Sequence, residues 1–239
     1  MKQQIKAPHL VNWIGYLAIT FLLLLPAAVL TVRAGAWQQG LLLYALSCLG
    51  CLLLVLLAVV LLLLPRFAPW RSGIGWRASL ALPGTLLMLA VFSSGGDYPP
   101  IHDISTDVQD PPIFAMAEQQ RGASANALEI DNDVIAKQQT AYPDLQTLRS
   151  TMSIDAAFDR ALQVATDMGW EVYHQDRNAG VIEAVDTTAI MAFKDDIVIR
   201  VRSNAQGTLL DLRSVSRVGM GDIGANAKRI RAFQQAFES

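Results

Sequence analysis

Residues 41–64 run for 24 positions without one charged side chain, as L-L-L-Y-A-L-S-C-L-G-C-L-L-L-V-L-L-A-V-V-L-L-L-L. A helix of about 20 apolar residues matches the hydrocarbon thickness of a bilayer, so this stretch reads as a membrane span. Residues 12–32 have the same character, and residues 78–93 form a third, shorter candidate. The third contains Pro83 and Gly84, which predict a kinked, tilted or partly interfacial segment.

Charge divides the chain in the same place. Residues 1–95 hold six bases (Lys2, Lys6, Arg33, Arg66, Arg71, Arg77) and no Asp or Glu, whereas all 21 acids and 13 bases follow. The halves are near +6 and −8, although the whole chain is only −2. Such asymmetry predicts a membrane region and a separate acidic aqueous domain. The first apolar run is too long for a leader h-region of about 7 to 15 residues, so it reads as an anchor. Basic residues are retained on the cytoplasmic side. Lys2 and Lys6 before the first span, and Arg66, Arg71 and Arg77 before the third, therefore predict a cytoplasmic N-terminus and residues 96–239 outside the cytoplasm. Cys48 and Cys51 make C-x-x-C, but inside an apolar helix they read as small hydrophobes.

Beyond a small-residue hinge at 93–97, residues 98–114 carry four prolines and three acids and read as an extended tether along the domain surface. Residues 115–143 are weakly patterned, with a short helix expected at 133–139 and a turn at Tyr142, Pro143 and Asp144. Patterning then sharpens. Ser153 as N-cap, Asp155 in the first turn, and a stripe of Phe158, Ala161, Leu162, Ala165 and Met168 predict a helix that Gly169 stops. Two hairpins follow, 170–185 around a turn at 176–180 and 196–217 around a turn at 203–207. In the second, Ile197, Ile199 and Val201 alternate with Val198, Arg200 and Arg202, and Leu210 and Leu212 with Asp211 and Arg213. One face is apolar, and the charged one is expected to be solvated. A last helix from about Asp222 buries Ile223, Ala227, Ile230, Phe233 and Phe237 and turns Lys228, Arg229, Arg231 and Gln235 outward. Helix, four strands and helix predict an α+β two-layer sandwich with antiparallel sheet behind the α-helical transmembrane region of three spans.

Gly219, Gly221 and Gly224 spell G-x-G-x-x-G, yet the chain ends 15 residues later. A dinucleotide fold needs a further strand with an acid about 20 residues on, so no dinucleotide partner is expected. The turn reads as a glycine entry to an Asp-capped helix, the alternative being a small-anion site made by the helix N-terminus and Arg217.

Residues 101–114 (I-H-D-I-S-T-D-V-Q-D-P-P-I-F), 186–201 (D-T-T-A-I-M-A-F-K-D-D-I-V-I-R-V) and 211–233 (D-L-R-S-V-S-R-V-G-M-G-D-I-G-A-N-A-K-R-I-R-A-F), with A-Y-P-D-L at 141–145, resemble the DUF1499 family of bacterial and plastid proteins. The resemblance covers about 96–239, leaves the apolar helices outside it, and brings no catalytic residues to carry over.

Two polar groupings merit attention. His102, Asp103, Asp107 and Asp110 offer one imidazole and three carboxylates to a cation, although their spacing fits no EF-hand or zinc motif and Asx turns before prolines explain it as well. Lys194, Asp195 and Asp196, with Arg213, Ser214, Ser216, Arg217, Asp222, Asn226 and Arg229, form a candidate ligand-binding set. Asp195 and Asp196 are neighbours on a strand and so point to opposite faces. No G-x-S-x-G elbow accompanies the serines, and His174 reads as a packed edge residue. The −8 aqueous domain would be repelled by nucleic acid, and the spans hold no central charge for an ion pathway. The expectation is a module anchored in the bacterial inner membrane that binds a membrane or periplasmic protein, or a ligand, with no cofactor. The alternative is a periplasmic hydrolase built on residues 214–222 with His102 or Asp195.

Overall fold

The computed structural model describes residues 8–94, 98–205 and 207–239. Lys2 and Lys6, most of the 93–97 hinge, and Gln206 in the hairpin turn lie outside the described residues. The chain divides into two compact units, Met1–Gly96 and Asp97–Ser239.

In the first unit, helix α1 spans His9–Arg33 and α2 spans Trp37–Leu63; both are long and apolar enough to cross a membrane. Polar side chains within them bond back to their own helix. The hydroxyls of Thr20, Thr31 and Ser47 donate to the carbonyls of Tyr16, Ala27 and Leu43 at 2.7 to 2.9 Å, so these three donors are satisfied within their own helix. Small residues set the helix spacing: a Cβ on Gly50 would lie 2.4 Å from the Phe21 ring.

The third apolar stretch is not one straight helix. A 3-10 segment, Pro65–Trp70, leads into α3, Arg71–Ser79, and α4 follows over Leu82–Ser94. Pro65–Ser79 and Leu82–Ser93 meet at a bend of 59°. The break sits just ahead of Pro83, whose ring cannot continue a helical hydrogen-bond ladder. With 13 residues α4 is about 20 Å long, less than a bilayer core of about 30 Å. The unit therefore has two clear candidate spans, and three if the bent pair counts as one. Cys48 and Cys51 are buried free thiols, with Cys51 lying beside Gly84 of α4.

The second unit is built on a six-stranded antiparallel sheet with helices. Its elements are β1 Asp103–Ser105, α5 Ala117–Gln120, α6 Asn132–Ala141, β2 Leu148–Ser150, α7 Ile154–Asp167, β3 Glu171–Asp176, β4 Val181–Thr187, β5 Lys194–Asn204, β6 Gly207–Ser216 and α8 Ala225–Glu238. The strand order is β1-β6-β5-β4-β3, and β2 also pairs with β6, on Thr208 to Leu210, while β1 takes Arg213 to Val215.

Helix α7 forms as its sequence predicts. Ser153 caps it by accepting from the Ala156 N–H at 3.3 Å, and Gly169 closes it at φ +79°. Its buried Phe158, Ala161 and Val164 join Ile182, Ile197, Ile199, Leu210 and Leu212 of the sheet and Ile230, Phe233 and Phe237 of α8 in one core. Within it, Trp170 stacks on Phe233 at 5.5 Å.

Three expectations change. Residues 101–114 are not a surface tether: Ile101 and Ile104 are fully buried, and β1 pairs with β6. Helix α8 begins at Ala225 rather than Asp222, because Gly224 adopts a left-handed φ of +76° and acts as its N-cap, leaving Ile223 exposed. The charged face of the second hairpin is largely covered, since Asp196, Asp211 and Arg213 are buried, while Arg202 at its far end stays partly exposed.

Candidate functional site

Register explains how the sheet sorts its polar residues. Asp195 pairs with Ser216 and Ile197 with Ser214 across β5 and β6, and Asp186 of β4 lies opposite Asp195, so Asp186, Asp195, Ser214 and Ser216 share the face under α8. One residue along, Asp196, Arg213 and Asp211 belong to the opposite face with Glu183.

Under α8, Arg229 is the hub. It was expected outward, but it is buried, with its guanidinium 2.6 Å from Asp195 and 2.7 Å from Asp186. It also donates to Asn226 Oδ1 at 2.6 Å and to Ser214 Oγ at 3.1 Å. The Ser214 hydroxyl donates to Asn226 Oδ1 at 2.7 Å, and Asn226 Nδ2 donates to Ser216 Oγ and to the His102 carbonyl. Asp195, Ser214, Ser216, Asn226 and Arg229 thus come together, but each is bonded to another. A serine nucleophile needs a base to accept its proton. Ser214 gives its proton to an amide oxygen, and among the described residues no imidazole bonds to either hydroxyl.

The glycine loop is closed by its own acid. Asp222 accepts from the Gly224 N–H at 2.9 Å and the Asn226 N–H at 2.7 Å, filling the place an anion would take at a helix start. Burial raises the Asp222 pKa, and Asp195 adds to the rise, while the two amide hydrogen bonds oppose it. Arg217, proposed as the cationic partner of that site, is directed to the other face.

On that face Arg217 grips Asp196 bidentately at 2.7 and 3.0 Å and donates to the Gln120 carbonyl. Arg121 lies 3.2 Å from the same carboxylate with a side chain 4% exposed, and among the described residues its Nη1 and Nη2 meet no hydrogen-bond acceptor. Burial, together with Arg217, lowers the Arg121 pKa, against the pull of Asp196. Glu183 accepts from the Met116 N–H at 3.1 Å and the Tyr173 hydroxyl at 3.1 Å, and also from the Ala115 N–H. Burial and the Glu183 charge drive the Tyr173 pKa far up. Arg213 binds Asp103 through Nε and Nη2 and donates to the carbonyls of Pro112 and Leu128. Asp211 and Asp107 are both held by Arg200 and Arg202, and Asp110 by Arg200.

The proposed metal group is thereby dispersed. Asp103, Asp107 and Asp110 serve arginines, and His102 contributes its backbone carbonyl to Ser216 and Asn226. Among the described residues no three His, Cys, Asp or Glu side chains are placed to share a metal ion. Lys194 is exposed and bonds Arg217 through its main-chain carbonyl. The ten-residue ligand set is thus split by the sheet, with Asp196, Arg213 and Arg217 on one side and Asp195, Ser214, Ser216, Asn226 and Arg229 on the other.

An open cleft of about 570 Å³ lies elsewhere, lined by His102, Asp103, Asn126, Glu129, Ile130, Asp131, Asp133 and Val134. Glu129, Asp131 and Asp133 give it an acidic lining, whereas the Asp103 carboxylate there is paired with Arg213, and Ile130 is 43% exposed within it. Asn126 is positioned by donating to the carbonyls of Ser216 and Gly219 at 2.9 and 2.8 Å. Sequence reasoning missed this cleft because residues 122–130 (G-A-S-A-N-A-L-E-I) have no helical or strand period. It also missed Glu183, for which a signal existed: one acid inside the apolar run V-I-E-A-V.

Fold and site define an antiparallel-sheet domain with packed helices and an arginine-bound polar interior, joined to a unit of apolar helices. Residues 103–237 match the family described as "Protein of unknown function (DUF1499)", and the chain belongs to that family. The match opens on the first residue of β1, so residues 103–114 of the proline-rich segment fall within it. No curated protein matches the chain.

Proposed function

We propose that the protein is a membrane-anchored binding module whose aqueous domain engages a partner through the acid-lined cleft. One observation carries this reading: the cleft is open, whereas the buried hydroxyls and carboxylates of the sheet are bonded within the domain. The bent α3/α4 pair serves as the third span, with α4 lying across the bilayer and residues 65–79 at its headgroup end. It then sets the N-terminus in the cytoplasm and the domain at the periplasmic face of the bacterial inner membrane, with α7 and α8 as one layer and the sheet as the other. Cleft chemistry favours a basic protein segment with an apolar residue for Ile130, and it disfavours nucleic acid and dinucleotides, whose phosphates the carboxylates repel. The hydrolase alternative is not favoured, because Ser214 is fully buried and lacks a base.

Native mass spectrometry of the full-length protein, released gently from its own membrane, tests this. A co-purifying protein that is lost from Glu129→Lys/Asp133→Lys supports the cleft as its seat. A partner retained by that variant, or an anionic small molecule held by the wild type, overturns the assignment.

A further inference from the structure

Residues 65–79, P-R-F-A-P-W-R-S-G-I-G-W-R-A-S, place three arginines and two tryptophans in a half of the chain where residues 1–95 contain no carboxylate. The segment does not continue the axis of α4, from which it is bent by 59°. One side of it is internal, since Phe67, Ile74 and Ala78 pack with Val11, Ile14, Ala58 and Leu61 of α1 and α2. The other side carries exposed Arg66, Arg71 and Trp76.

Neutral groups occupy these guanidiniums. Arg66 lies 4.9 Å from the Phe67 ring centre and Arg77 lies 4.8 Å from that of Trp76. Arg71 Nε donates to the Leu62 carbonyl at 3.0 Å, and Arg77 donates to the Gly73 carbonyl and Asn12 Oδ1. Each contact orients a cation without neutralising it, and the unit has no acid to do so. Amphipathic Trp and Arg side chains settle at the headgroup level of a bilayer, and surface arginines there attract anionic lipid.

We propose that residues 65–79 form an interfacial element that binds anionic phospholipid headgroups, with Arg66 and Arg71 meeting the phosphates and Trp76 anchoring the element beside them. This rests on the reading of α1 and α2 as membrane spans. The test uses full-length protein in vesicles of equal phosphatidylglycerol and phosphatidylcholine, released gently and weighed with its retained lipids. Phosphatidylglycerol is expected to be enriched among them, and the enrichment to fall about five-fold per arginine removed in Arg66→Gln/Arg71→Gln. Arg66→Lys/Arg71→Lys keeps the charges and is expected to keep the enrichment. Retained lipids that mirror the bulk mixture overturn the inference, as does a lysine variant that loses the preference as fully as the glutamine one. Failure of the protein to enter vesicles at all overturns the spanning reading, and the inference with it.

Discussion

Gly224 shows how little freedom single residues have here. Its φ of +76° suits glycine, and a Cβ there would lie 2.5 Å from the Tyr98 ring. Gly224→Ala is expected to destabilise by about 1 to 3 kcal/mol, measured by urea unfolding. Asp222, two residues earlier, introduces a pH dependence. Its pKa is raised in the folded state above the ordinary 3.8, so the native structure favours the protonated form. Its contribution to stability is present below that value and lost as pH rises through the folded pKa. Thermal unfolding of wild type and Asp222→Asn across pH should show the variant gaining relative to wild type from about pH 4 upward; a constant difference would sink the argument. Asp144 has the opposite sign, because its hydrogen bonds to Arg231 lower its pKa, and its small stabilisation is lost as pH falls. Buried Arg213 is held in place by Asp103, and Arg213→Met strands that carboxylate at a cost of about 3 to 5 kcal/mol.

At the element scale, β1 is the informative case. Among the described residues no strand lies on its outer edge beside Ser105; instead the carboxamide of Gln138 on α6 accepts from the Ser105 N–H at 2.9 Å and donates to the Ser105 carbonyl at 2.5 Å. A side chain thus substitutes for a strand, which is why a glutamine is buried in α6. Gln138→Ala leaves both backbone groups without partners and is expected to cost about 1 to 3 kcal/mol for each group left unsatisfied, read from denaturant midpoints. Ile104→Ala is expected to cost about 2 to 5 kcal/mol, whereas a surface tether would lose nothing.

For the whole molecule, the two units have separate cores, one of α1 to α3 residues and one around the sheet. Residues 98–239 alone are therefore expected to unfold cooperatively at the same urea midpoint as the same domain in the full chain. A lowered midpoint or a non-cooperative fragment would contradict the independence of the two cores. If the bent pair crosses the bilayer as proposed, reporters fused at the two termini will fall on opposite sides of the membrane.

Local chemistry was enough for the apolar helices, for α7 with its Ser153 cap and Gly169 stop, and for both hairpins, because length, caps and period-two alternation act within a few residues. The charged strand face shows where such reasoning stops. Alternation at Val198, Arg200 and Arg202 tells that one face is polar but not whether water or protein covers it. That depended on residues 101–121, which lie about 90 positions away in sequence and whose prolines and acids carry no period. Asp195 and Asp196 are adjacent, yet Arg229 claims one and Arg217 the other. Only the register of β4, β5 and β6 decided which arginine reached which carboxylate, since strand geometry sends neighbours to opposite faces and the tertiary fold supplies what waits on each.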